Sequence, residues 1–108
     1  MSRIRYMRLI VFFDLPTATN SDKKNYTKFR KYLLNEGFMM MQYSIYTRVC
    51  NGKDSVEKYL NRIKNNTPPK GHIRALHVTE KQWQDMELII GYKSHQEEKI
   101  SSEALTIF

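Results

Sequence analysis

Asp14 ends the apolar run Leu9-Ile10-Val11-Phe12-Phe13 and stands two residues before Pro16. An ionised carboxylate beside such a run is costly to bury unpaired, so it must meet water, a hydrogen-bond donor or a cation. At the tip of a strand it can present its charge to a metal, a phosphate-bearing ligand or a partner subunit. The plainer reading is a turn cap, because Asp and Pro commonly mark turns. A second set of candidates is cationic. Lys24, Lys28 and Lys31 recur at spacings of four and three, and Lys58 and Arg62 stand four apart. At helical spacing each set lines one ridge, able to track a phosphate backbone without reading bases. The competing reading is a solvated helix face, the more frequent fate of a charge run.

Other reactive side chains offer less. His72, His77 and His95 lack metal-ligand spacing and read as strand and loop histidines. Gly52 and Gly71 are isolated, so no glycine-rich loop cradles a phosphate. No Ser-His-Asp arrangement can be argued from spacing. The lone Cys50 cannot build a disulfide framework and reads as a small hydrophobe. Trp83 reads as the anchor of a helix rather than a stacking platform for bases.

Composition narrows the function classes. Eighteen Lys and Arg against eleven Asp and Glu give a net charge of +7, which suits a polyanionic partner. At 108 residues there is room for one core and not for a second. No apolar run approaches the roughly 20 residues that span a bilayer, and no secretory signal is evident. A cytoplasmic protein without a membrane partner is expected.

The candidate residues need elements to hold them. Leu9 to Phe13 has the composition of a strand buried on both faces, and Pro16 cannot continue a ladder, so a strand is predicted from about Arg5 to Phe13. Thr19, Asn20 and Ser21 are capping types. From Asp22 to Glu36 the pattern is helical, with Tyr26, Phe29 and Leu33 inward, the lysines outward and Gly37 at the close. Phe38 to Cys50 is extended but long for one strand. Gln42 and Ser44 predict a break into two, although no glycine hairpin turn is present.

After the Asn51-Gly52 turn a helix is predicted from about Asp54 to Asn66. Val56, Tyr59, Leu60 and Ile63 face inward, Lys58 and Arg62 face outward, and Asp54 with Glu57 forms a loose capping box. His72 to Val78 alternates as a half-exposed strand whose inward face the pattern does not decide. Thr79-Glu80-Lys81-Gln82 is a better capping box, opening a third helix expected through about Ile90 with Trp83, Met86 and Ile90 on one face.

This order predicts an α+β, ferredoxin-like βαββαβ sandwich, with two helices on one face of an antiparallel sheet, an extra short helix and a C-terminal strand. Residues 1–92 make the domain. Residues 93–108 make a polar loop and a terminal strand, Ala104 to Phe108, exchanged or added at a dimer interface. The second sheet face would be bare in a monomer and would expose Met40 and Tyr46. A homodimer is expected to cover it.

Tyr6-Met7-Arg8 leading into the apolar strand, with Phe13-Asp14-Leu15-Pro16 at its tip, resembles the CRISPR-associated Cas-two family, the small core protein of spacer acquisition. Glu36-Gly37-Phe38 followed by Gln42-Tyr43-Ser44-Ile45-Tyr46 is similar to that family's second signature. The pieces Arg8 to Pro16 and Lys28 to Tyr46 most resemble the type II-A version found beside Cas-nine effectors.

The resemblance implies a homodimer that bridges dimers of the Cas-one integrase and holds a double-stranded prespacer DNA, with other type II-A adaptation proteins as further partners. It also implies a magnesium-dependent endonuclease acting on RNA or DNA. Asp14 and its symmetry copy would then bind one Mg²⁺ per dimer, Asp14 being the catalytic residue. Mg²⁺ takes oxygen ligands, keeps several waters and often needs only one or two carboxylates. The chain departs from the family pattern in three places. Met40 stands where some members have Arg, Phe13 stands where relatives have Tyr, and the basic residues after the Asp survive only as Lys23 and Lys24. These departures favour a DNA-binding scaffold over a phosphodiesterase.

Overall fold

Leu9, Ile10, Val11 and Phe13 are buried in the central strand β1 (Tyr6–Asp14) of a computed structural model that describes residues 5–91. Helix α1 (Asn20–Asn35) follows, then strands β2 (Met39–Gln42) and β3 (Ile45–Asn51), helix α2 (Lys53–Lys64), strand β4 (His72–Thr79) and the short helix α3 (Glu80–Gln84). The four strands form one sheet in the order β2-β3-β1-β4, antiparallel throughout. With α1 and α2 on one face this is the ferredoxin-like α+β arrangement expected from the element order. The residues from 92 onward, with His95 and the segment expected to form a terminal strand, lie outside the described residues.

The core lies between β1, β3 and the two helices. Met7, Leu9, Val11 and Phe13 meet Phe29 and Leu33 of α1, Val56 and Ile63 of α2, and Tyr46 and Cys50 of β3. Phe13 sits at the centre of an aromatic group, its ring centroid 5.4 Å from Phe29, 5.5 Å from Tyr46 and 5.9 Å from Tyr26. Cys50 is buried here as a free thiol, as a small hydrophobe would be.

Local chemistry explains the element ends. Thr19 Oγ1 accepts from the Asp22 amide at 3.0 Å, and Asp22 Oδ2 accepts from the Thr19 amide at 3.2 Å. This capping box starts α1 at Asn20, slightly before the predicted Asp22. Gly37 ends the helix at φ +88°, in the left-handed region. A Cβ at Gly37 would also stand 3.3 Å from the Arg48 guanidinium.

The expected capping box at Asp54 does not form. Helix α2 starts at Lys53 with Gly52 at the cap and no side-chain cap hydrogen bond. Asp54 therefore falls inside the first turn, where its charge still complements the helix dipole. The β2–β3 turn, Tyr43-Ser44, contains no residue with positive φ. Tight two-residue hairpins ordinarily require one, and a bulge between Met40 and Gln42 absorbs the mismatch here.

Two further expectations are corrected. Tyr46 is not on an exposed face. It pairs with Val11, so the two-residue alternation turns it toward the helices, where its exposure is 0%. Met40, paired with Tyr46 and on the same side, is partly exposed on edge strand β2. The third helix stops at Gln84 and does not reach Ile90. A helix that short depends on burial of its apolar side. Beyond it Met86, Leu88, Ile89 and Ile90 are all exposed, Ile90 to 92%.

The register also decides the face of β4. Ile73, Ala75 and His77 oppose Phe13, Val11 and Leu9 and share the helix side, leaving His72, Arg74, Leu76 and Val78 on the other face.

Candidate functional site

Asp14 is the last residue of β1 and is exposed. Three segments meet around it. The amide of Phe13, one residue earlier, donates to the Ser44 carbonyl at 3.0 Å and ties the β2–β3 turn to the strand tip. On the other side Asp14 opposes His72 in the β1–β4 ladder. Because Phe13 points to the helices, Asp14 points to the opposite face.

Asp14 does not cap α1, a task taken by Thr19. The ion pairs among the described residues are Arg8 with Glu80 and Arg62 with Glu36, so Asp14 has no cationic partner there. An exposed, unpaired carboxylate is a suitable oxygen ligand for a hard divalent cation. A metal would still need ligands from elsewhere. Among the described residues no group of three or more His, Cys, Asp or Glu is placed to hold one.

Two neighbours of Asp14 escaped the sequence reading. His72 opposes it directly, and Arg74 opposes Phe12, one step back on the same face, where a diagonal pair lies about 7–8 Å apart. Arg74 is exposed and has no ion-pair partner among the described residues. A guanidinium so placed can grip a phosphate near the carboxylate, in the place of the basic residues missing next to Asp14 in sequence. The alternation of β4 hints at these neighbours, but only its register against β1 assigns them to Asp14.

The lysines occupy a different surface. Lys24, Lys28 and Lys31 are exposed on α1 and line an open groove of about 650 Å³ together with Lys23, Thr27, Tyr32 and Asn35. Lys23 is an addition to the predicted ridge. Burial raises the pKa of the Tyr32 phenol above its ordinary value, and the Glu36 carboxylate adds to the shift. A tyrosine hydroxyl is protonated at neutral pH with or without such a shift. That of Tyr32 is buried without a hydrogen-bond partner among the described residues.

The predicted pair on α2 is placed differently. Lys58 and Arg62 both lie near the Tyr59 ring, at 5.3 and 5.6 Å from its centroid. Arg62 also binds Glu36 at 2.7 Å and so links α2 to the end of α1. Its charge is partly neutralised in place, which leaves it less free than the α1 lysines to pair with an outside anion.

Two arginines prove structural. Arg48 stacks 3.8 Å from the Tyr59 centroid and donates to the Glu36 carbonyl at 2.8 Å and to the Tyr59 hydroxyl at 2.7 Å, tying the end of α1 to α2. Arg8, 5% exposed, donates to both Glu80 oxygens at 2.8 and 3.1 Å and lies 4.8 Å from the Trp83 ring centroid. Trp83 thus anchors α3 over Arg8, as its expected role required. No helix among the described residues is long and apolar enough to cross a membrane.

With this geometry in view, the similarities to known proteins are specific. The family model for CRISPR associated protein Cas2 matches residues 7–86. The chain is 43% identical over 102 residues to a CRISPR-associated endoribonuclease Cas2 of Acidovorax ebreus, covering 94% of this chain and all of the relative. A protein with the same description from Ligilactobacillus salivarius is 51% identical over 87 residues, covering 81% of this chain and 86% of its own length. One from Campylobacter jejuni is 38% identical over 104 residues, covering 96% and 73%. The match spans the strand bearing Asp14, both long helices and β4, and this chain belongs to the Cas2 family of CRISPR-associated proteins.

Proposed function

We propose that this chain is a cytoplasmic DNA-binding subunit of CRISPR adaptation. As a homodimer it holds a double-stranded prespacer across its basic helices and bridges integrase dimers, with other adaptation proteins as further partners. The observation that carries this reading is the α1 groove. Lys23, Lys24, Lys28 and Lys31 gather on one surface, and none is in an ion pair among the described residues. Such an array binds phosphates through charge and carries no base readout. The face of the sheet opposite the helices suits the dimer contact. Val49 and Leu76 are exposed there, and Ile89 and Ile90 follow α3 as further unburied apolar surface.

The test is a charge reversal of Lys24, Lys28 and Lys31 to Glu, with duplex DNA affinity measured across a salt series. If each lysine neutralises one phosphate, the slope of log K against log salt becomes shallower by about 2.7 per subunit. An unchanged slope and affinity at low salt would remove the groove from the DNA interface.

A second reading, a metal-dependent endoribonuclease, is favoured by the description shared by the relatives and by the exposed, unpaired Asp14 with Arg74 nearby. Asp14 and its copy in a dimer would hold one Mg²⁺. A divalent cation there supplies positive charge to a phosphodiester and a water of lowered pKa. Arg74 would orient the phosphate, and the Tyr43-Ser44 turn would border the site. Asp14→Asn separates the readings. The nuclease reading expects loss of Mg²⁺-dependent RNA cleavage, and the scaffold reading expects spacer integration in a reconstituted complex to continue.

A further inference from the structure

We infer that Tyr43 is a nucleobase-stacking residue of the strand tip, its ring receiving one unpaired base of a strand whose phosphate is gripped by Arg74. The inference rests on the nuclease reading for the place of the site, and adds to it a residue that sets the form of the substrate.

Register brings Tyr43 beside Asp14. Strands β1 and β3 pair Phe12 with Ile45, and the Phe13 amide donates to the Ser44 carbonyl at 3.0 Å, so the next step in the same register sets Tyr43 level with Asp14. On the other flank of β1, Asp14 opposes His72 and Phe12 opposes Arg74. Neighbouring strands lie about 4.7–4.9 Å apart, so the turn and the start of β4 stand roughly 10 Å apart across the strand tip. A stacked strand covers that span in about three nucleotides, at a rise of roughly 3.4 Å each.

The ring is free while its mounting is fixed. Tyr43 is 81% exposed, against 52% for Tyr6, the next most exposed aromatic among the described residues. Turn chemistry does not call for it, because Gly, Pro, Asn, Asp and Ser are the residues that suit turns. The Tyr26 hydroxyl donates to the Tyr43 carbonyl at 3.3 Å, and the Phe13 amide holds Ser44. Both bonds end on the turn's backbone and leave the side chain clear. A fixed mounting and only two side-chain torsions keep the entropy cost of binding low.

The surroundings are cationic. Arg74, and Lys70 beside Leu15 and Pro16 just past the strand tip, are exposed and in no ion pair among the described residues. An exposed aromatic among free cations suits a single strand, the ring meeting a base face and the cations meeting phosphates. Inside a duplex each base face is closed by the next pair, so the ring finds nothing to stack on there.

The test is equilibrium binding, by fluorescence anisotropy, of a labelled single-stranded RNA of mixed sequence, the same strand as DNA, and that DNA annealed to its complement. All titrations are run in EDTA so that no cleavage intervenes. Tyr43→Ala should weaken single-strand binding by about five- to hundredfold. Tyr43→Leu should lose nearly as much, because it keeps apolar bulk without a π face, and Tyr43→Phe should stay within about twofold of wild type. Duplex affinity should change by less than about twofold in all three. RNA and DNA strands both offer base faces, so the loss should appear in both, and the tighter wild-type complex names the source. Arg74→Ala should make the single-strand slope of log K against log salt shallower by about 0.7, while Tyr43→Ala leaves that slope unchanged.

Undiminished single-strand affinity in Tyr43→Ala would overturn the inference. So would an equal loss for the duplex, full retention in Tyr43→Leu, or an unaltered salt slope in Arg74→Ala. A change of oligomeric state in Tyr43→Ala, read by sedimentation, would place the ring in a contact between copies of the chain and overturn it as well. Loss of single-strand binding in Tyr43→Ala, with wild type cleaving no RNA in Mg²⁺, would uphold the stacking role and overturn the nuclease reading alone.

Discussion

Met7, Leu9, Val11 and Phe13 of β1 all turn toward α1 and α2 and are buried, whereas Arg8, Phe12 and Asp14, interleaved with them, turn the other way. The helix side is a closed aromatic and aliphatic core. The opposite side mixes Arg8 under α3, the small Thr47, exposed Val49 and Leu76, and the Asp14, His72 and Arg74 group at the strand tip. The odd positions of this strand thus build the helix-side core, while the even ones hold the buried Ile10 and the Arg8 ion pair and end on the exposed Asp14. The division follows from the pleat, which sends alternate side chains to opposite faces.

Substitutions on the two faces should therefore separate, and the largest effect belongs to the core. Tyr46→Ala should lower unfolding free energy by about 3–5 kcal/mol in urea titration, since a fully buried aromatic is removed. A loss below 1 kcal/mol, close to the roughly 0.5 kcal/mol of an ordinary surface change, would mean the helix side is not the closed core described.

Glu80→Gln comes next, because it strands a guanidinium of low exposure on the other face. A cost of about 1.5–3 kcal/mol is expected from the same titration. A negligible cost would show that Trp83 and water suffice for Arg8, and would blur the contrast between the faces.

Arg62→Ala breaks a half-exposed ion pair and should cost less than about 1 kcal/mol, falling further in high salt. Its effect on DNA affinity should also be smaller than that of Lys28→Ala, which competition binding can rank. Asp14→Asn should leave the unfolding midpoint unmoved. A marked shift in either direction would give Asp14 a structural role and weaken its assignment to chemistry.

Much of this was legible along the chain. The apolar run, the caps and the helical stripe around Phe29 and Leu33 located β1 and α1, because local composition and 3.6-residue periodicity act within one element. The break between Gln42 and Ser44 was visible even without a glycine turn. The face of Tyr46 is not legible in the sequence because it depends on which β1 residue Tyr46 opposes, and that is a property of the pairing. The third helix is shorter than its sequence suggests because a capping box marks where a helix starts but not whether its far end finds a surface to bury. The loose box at Asp54 failed because Gly52 let the helix begin earlier.

The candidate site divides in the same way. Lys24, Lys28 and Lys31 could be grouped from spacing alone, since neighbours on one helix are fixed by its turn. Arg62 looked equivalent until Glu36, 26 residues away, was placed within 2.7 Å of it. The sequence by itself determined the order of elements, the family motif around Asp14 and the net positive charge. Only the tertiary structure decided that His72 and Arg74 stand on the face of Asp14, because strand register joins residues far apart in the chain, and a slip of one residue would have sent them to the opposite face.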